Sequence, residues 1–142
     1  MGVRVKVRIE VGSKSVIVPA LVNSGYEAEG PEVSVPIQVA RELGLWPLKR
    51  FRIAEVETAG GPAHVYVPTE RARVRLVLGR PDEPEVDCHI VIDPYTDEVL
   101  LCDHLIDALG IVVVSFGRGL WRHKDDPEGT IRQSEPRPLS SR

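Results

Sequence analysis

Ala20-Leu21-Val22-Asn23-Ser24-Gly25 runs an apolar strand straight into a short polar turn and a glycine. Upstream, Val3, Val5, Val7 and Ile9 alternate with Arg4, Lys6, Arg8 and Glu10, the period of a half-buried strand over 3–10. Gly12-Ser13-Lys14 turns the chain, and Ser15 to Val22 reads as a second, more apolar strand, so a β-hairpin leads into residue 23. Downstream, residues 23–31 hold Gly25, Gly30 and Pro31 and read as a loop. Asn23 is the only asparagine in the 142 residues. Taken alone, Asn-Ser-Gly after a strand is also a common polar turn.

The remaining pattern is mostly β. After Val33 and Val35, Pro36 opens a short helix with Ile37, Ala40 and Leu43 at helical spacing, and Gly44 ends it. Residues 51–57 and 63–67 read as strands around Ala59-Gly60-Gly61-Pro62, a hairpin with a tip poor in side chains. Further strands are expected over 73–78, 86–92, 99–101, 111–114 and 120–123. A second helix spans 103–109, with Asp103 as its expected N-cap and Gly110 as its stop. From Lys124 the chain is charged and rich in Pro and Ser. The expected division is a folded domain over 1–124 and a mobile tail over 125–142.

The order of these parts resembles the retropepsin-like (retroviral-type) aspartic proteases, over roughly residues 3–123. Asn23-Ser24-Gly25 matches that family's Asp-Thr/Ser-Gly catalytic loop, with an amide in place of the carboxylate. Thr58, Ala59, Gly60, Gly61 and Pro62 match the flap that closes over bound peptide. Val99-Leu100-Leu101-Cys102-Asp103 resembles the apolar strand, glycine and helix start that support the loop, with Leu101 where the family usually has glycine. The resemblance implies a small closed β-barrel of the acid-protease type and a homodimer with one loop per subunit on the two-fold axis. It also implies hydrolysis of peptide or protein substrates by water activated on a carboxylate dyad, with no cofactor and no metal. Asn23, Ser24 and Gly25 are then the catalytic-loop residues, and residues 58–62 the substrate-binding flap. With Asn23 in place of aspartate, the chain as written is expected to bind peptide without turning it over. A non-catalytic peptide-binding or assembly module of the same fold, or an unrelated small β-barrel, are the alternatives.

Composition narrows the partners. The 18 basic and 21 acidic residues leave a net charge of −3, without the basic excess of a nucleic-acid footprint. No apolar run approaches bilayer length, and Met1 to Lys6 alternates charge with valine, so a cytoplasmic protein acting off the membrane is expected. Arginine outnumbers lysine, and only Gln38 and Gln133 join the single asparagine, a depletion of thermolabile side chains that fits a thermophile. Cys88-His89 and Cys102-Asp103-His104 fit no common zinc spacing. Two buried thiols are the favoured reading, and a disulfide between them stays open. Asp82, Asp87, Asp93 and Asp103 lack the strand-to-glycine setting of residue 23. Trp46 and Trp121 are read as packing or interface residues.

Overall fold

The alternation in the first strand is the alternation of burial. In a computed structural model, which describes residues 2–58 and 60–138, Val3, Val5, Val7 and Ile9 are fully buried while Arg4, Lys6, Arg8 and Glu10 face outward. This strand, β1 (Arg4–Val11), forms a tight antiparallel hairpin with β2 (Lys14–Val22), in register from Arg4↔Leu21 to Val11↔Lys14. Gly12 makes the turn at a φ of 57°, a left-handed conformation that favours glycine. The chain continues through β3 (Glu32–Val35), α1 (Ile37–Glu42), β4 (Phe51–Thr58), β5 (Gly61–Pro68), β6 (Arg71–Leu76) and β7 (Glu85–Ile92). It ends with β8 (Val99–Leu101), α2 (Asp103–Ala108), β9 (Ile111–Ser115), β10 (Leu120–His123) and β11 (Arg132–Gln133).

Six strands close on themselves in the order β3-β8-β2-β1-β6-β7, and the parallel pairing of β3 with β7 completes the ring. The protein is therefore mostly β, a closed six-stranded barrel with two short helices. Closure satisfies backbone groups that an open sheet would leave as edges. The hairpin of β4 and β5 stands outside the ring. It is attached through Tyr66↔Ile92, where β5 meets β7. A second sheet, β11-β10-β9, shares the same core: Ile111 and Trp121 pack with Leu105, Leu109 and the barrel valines.

The inner face holds the barrel together more than the outer one. Each fully buried Val or Ile contributes on the order of 1.5–3 kcal/mol. The outer face of β1, β6 and β7 is laced with ion pairs such as Arg73–Glu10 at 3.1 Å and Arg75–Glu85 at 2.8 Å, exposed contacts that solvent screens and that add little to stability. Strands β1, β2 and β4 to β10 follow the expected ones within a residue or two, whereas β3 and β11 are not among the expected strands. β6 begins at Arg71 rather than 73, because Arg71 and Ala72 already pair with His89 and Cys88 of β7. No helix among the described residues is long and apolar enough to cross a membrane.

The described part of the expected tail, 125–138, makes contacts with the rest of the fold. Asp126 is buried, and its carboxylate accepts from Arg132 Nε at 2.8 Å and Nη2 at 3.0 Å, from Arg80 Nη1 at 3.3 Å and from the His123 backbone N–H at 2.9 Å. Arg132 also lies over the Trp121 ring at 5.6 Å. Farther on, the Glu135 N–H donates to Arg4 O at 2.8 Å, and the Arg4 N–H donates to Ser134 Oγ at 2.7 Å. Of the charged residues in this stretch, Asp126, Arg132 and Glu135 form ion pairs within the fold. Residues 139–142 lie outside the described residues.

Hydrogen bonds from Arg132, followed by that from the His123 N–H, hold the Asp126 carboxyl well below the usual carboxylate range. Its contribution to stability is complete above the unfolded-chain value of about 4 and is lost as pH falls below it. Asp126→Asn is expected to cost roughly 2–3 kcal/mol at pH 7, because Arg132 loses its acid and Arg80 keeps only Asp82. The gap in melting temperature between the two proteins narrows as pH drops from 6 toward 2, a trend readable by thermal denaturation across that range.

Candidate functional site

Residue 23 sits where β2 leaves the barrel. The end of β2 runs parallel to β8, with Ala20, Leu21 and Val22 beside Val99, Leu100 and Leu101. Val22 is buried, Asn23 half-buried, and Ser24 and Gly25 exposed, so the chain passes from core to solvent within four residues. Asn23 folds the turn onto itself. Its Oδ1 accepts from the Gly25 N–H at 3.2 Å, and its carbonyl accepts from the Tyr26 N–H at 3.0 Å. This is the side-chain-to-backbone turn that Asn and Asp both favour. A Cβ on Gly25 would stand 3.3 Å from Asn23 Oδ1, so a side chain there would crowd the amide.

The loop over 23–31 is stapled to the start of α2. The Asp103 N–H donates to Tyr26 O at 2.9 Å, and Asp103 Oδ1 accepts from the Ala28 N–H at 3.3 Å. Cys102 works beside it. Its Sγ accepts from the Glu32 N–H at 3.2 Å and the Leu105 N–H at 3.4 Å, and its thiol donates to Gly30 O at 3.5 Å. The N-cap of α2 is therefore Cys102, one residue before the expected Asp103. The reason is that Cys102, still extended at φ −76° and ψ 169°, accepts from the Leu105 N–H through its sulfur, which is the N-cap bond. The apolar strand and helix start named in the sequence do underlie the loop, through a thiol and a carboxylate.

A cleft of about 1210 Å³ opens between this loop and the β4–β5 hairpin. Asn23 and Gly25 line it, and Ser24 does not. On the hairpin side the lining comes from Arg52, Ala54, Val56, Glu57, Val65 and Val67. Of the residues expected to form the flap, Thr58 pairs with Gly61 and Pro62 with Glu57 at the far end of the hairpin. Gly60, Gly61 and Pro62 are not part of the lining, and Ala59 lies outside the described residues. Among the described residues, it is the body of the hairpin that walls the cleft.

Between these walls runs a polar row that sequence reading missed. Glu32, His89 and Arg71 are register partners across β3, β7 and β6, and all three line the cleft. The Tyr26 hydroxyl donates to Glu32 Oε2. Burial, reinforced by that carboxylate, pushes the Tyr26 phenol far above its usual range and keeps it a neutral donor. The one signal available was alternation in β7, which points Asp87 and His89 outward while Cys88 and Ile90 point in.

Cys88 and Cys102 are both buried and free, not joined by a disulfide. Burial pushes the Cys88 thiol up to about 12 and raises that of Cys102 as well. Their neighbours in sequence, His89 and His104, are exposed. Among the described residues no three His, Cys, Asp or Glu side chains gather in a way that could hold a metal ion. No family model and no curated relative matches the chain.

Cys102→Ala removes the acceptor for two backbone N–H groups and the donor to Gly30. The expected loss is roughly 1–3 kcal/mol of stability. Denaturant unfolding measures the loss, and amide hydrogen exchange is expected to show faster exchange at Glu32 and Leu105 than in the unaltered protein.

Proposed function

We propose that this chain is one subunit of a retropepsin-like aspartic-type endopeptidase site in which Asn23 holds the place of the catalytic carboxylate. As written it grips peptide without cleaving it. The observation that carries the reading is the position of residue 23. It lies on a short turn leaving a barrel strand, braced by the first residues of a helix, and it opens into a cleft walled by a projecting hairpin.

The chemistry follows from two copies of that turn meeting across a two-fold axis. With aspartate at 23, two adjacent carboxylates share a proton because both cannot ionise easily. The ionised member draws a proton from water, and the neutral member polarises the scissile carbonyl. Asparagine supplies neither role near neutral pH, although its amide donates and accepts hydrogen bonds. An aspartate would accept the same Gly25 N–H, so the turn suits either side chain. Pairing of subunits is supported by β9, which among the described residues pairs only with β10 and exposes Val112 and Val114, with Phe116 exposed just past its end.

A peptide-binding or assembly module without catalysis is the second reading, favoured by the bond from the Gly25 N–H to Asn23 Oδ1. That bond leaves the amide NH2 as the group available to a peptide carbonyl.

Asn23→Asp is expected to raise peptide cleavage by at least about a hundredfold over the unaltered chain. Its rate falls at low pH, where both carboxyls are protonated, and at high pH, where both ionise. A quenched-fluorescence peptide assay across pH measures this, and equal activity in both proteins removes residue 23 from the mechanism. Val114→Asp, on the exposed face of β9, is expected to shift the chain toward monomer in analytical ultracentrifugation.

A further inference from the structure

The outward face of β6 carries Arg71, Arg73 and Arg75 at two-residue spacing. Two of the three are paired with acids. Arg73 reaches Glu10 at 3.1 Å and Glu85 at 3.5 Å, and Arg75 reaches Glu85 at 2.8 Å. Across the ladder on β7, Arg75 faces Glu85 and Arg73 faces Asp87, but Arg71 faces His89. The match of base to acid stops there. Arg71 Nη1 lies 3.0 Å from His89 Nε2 and 3.2 Å from Nδ1, and among the described residues Arg71 forms no ion pair.

The break falls where the strands reach the cleft. Arg71 and His89 line it, whereas Arg73 and Arg75 do not. Arg52 on β4 lines the same cleft and likewise forms no ion pair among the described residues. Several acids line it too, but two are already engaged within the protein. Glu32 accepts from the Tyr26 hydroxyl, and Asp93 Oδ1 accepts from the Tyr95 N–H at 2.9 Å. Glu27 and Glu29 stand exposed on the loop over 23–31, and Glu57 stands exposed on β4.

We propose that Arg71, steadied by His89 and joined by Arg52, is a carboxylate-recognition subsite, so that the cleft selects peptides bearing an acidic group at one fixed place. The inference rests on reading the cleft as a peptide site. A guanidinium presents several N–H donors in a planar fork that matches a carboxylate two-for-two. His89 occupies one nitrogen of that fork and leaves the others for a ligand. Water is partly displaced once the cleft is filled, which strengthens the pairing. The carboxylate can belong to an Asp or Glu side chain or to a peptide C-terminus.

The Asn23 protein is a convenient reagent, because it is expected to hold peptide without consuming it. Fluorescent peptide pools would be randomised without Asp or Glu, with the central residue fixed as Glu or Gln and the C-terminus either free or amidated. Fluorescence anisotropy is expected to show a carboxylate-bearing pool binding roughly tenfold tighter than the neutral pool. The Glu and free-terminus arms identify which source of carboxylate is read. Arg71→Gln erases the preference between carboxylate-bearing and neutral pools, while Arg71→Lys restores part of it. Equal binding of all four pools to the unaltered protein overturns the subsite and leaves peptide binding standing, as does a preference that survives Arg71→Gln. Binding of no pool overturns the subsite and the peptide-site reading together.

Discussion

Strand β3 is four residues long, and the molecule depends on where it pairs. Along one side it runs parallel to β7, from Glu32↔His89 to Val35↔Ile92, and along the other it meets β8 antiparallel at Val33↔Leu101. These two sets of hydrogen bonds turn an open sheet into a ring. They also end the loop that begins at Asn23, so one short segment both closes the barrel and fixes the far side of the cleft. Val33 and Val35 are fully buried, which commits the segment to the interior face and sets its register.

That placement explains why the polar groups of the cleft cluster as they do. Glu32 leads β3 and brings its carboxylate level with His89 and Arg71 on two other strands. Its N–H and C=O are both held by Cys102, one through sulfur and one through the backbone. The site and the barrel closure therefore share atoms. A change that loosened this junction would reach the loop, the polar row and the start of α2 at once.

Much of the fold was legible because its signals are local. The alternation in residues 3–10, the turn at Gly12 and the glycines behind both helices map onto β1, the β1–β2 hairpin and the ends of α1 and α2. What escaped notice depends on partners distant in sequence. Arg71 lay outside the strand expected over 73–78, and its partner His89 comes from β7. Cys102 looked like a buried thiol until Glu32 and Leu105 offered their N–H groups. Asp126 sits in a stretch whose composition resembles disorder, yet three neighbours, Arg80, His123 and Arg132, converge on it. The turn at Asn23 and Gly25 was readable at the residue level. The cleft it opens into was not, since its walls come from strands far apart in the chain.

Cys88 and Cys102 lie sealed inside the ring, each with its thiol held in the protonated form by burial. A thiolate is the species that reacts with alkylating and oxidising reagents. In the intact barrel neither sulfur is ionised or reachable at neutral pH. The pair thus behaves as an internal clock: the rate at which a small maleimide consumes them reports how often the ring comes apart, and any occupant of the cleft that braces the wall beside Glu32 would slow it.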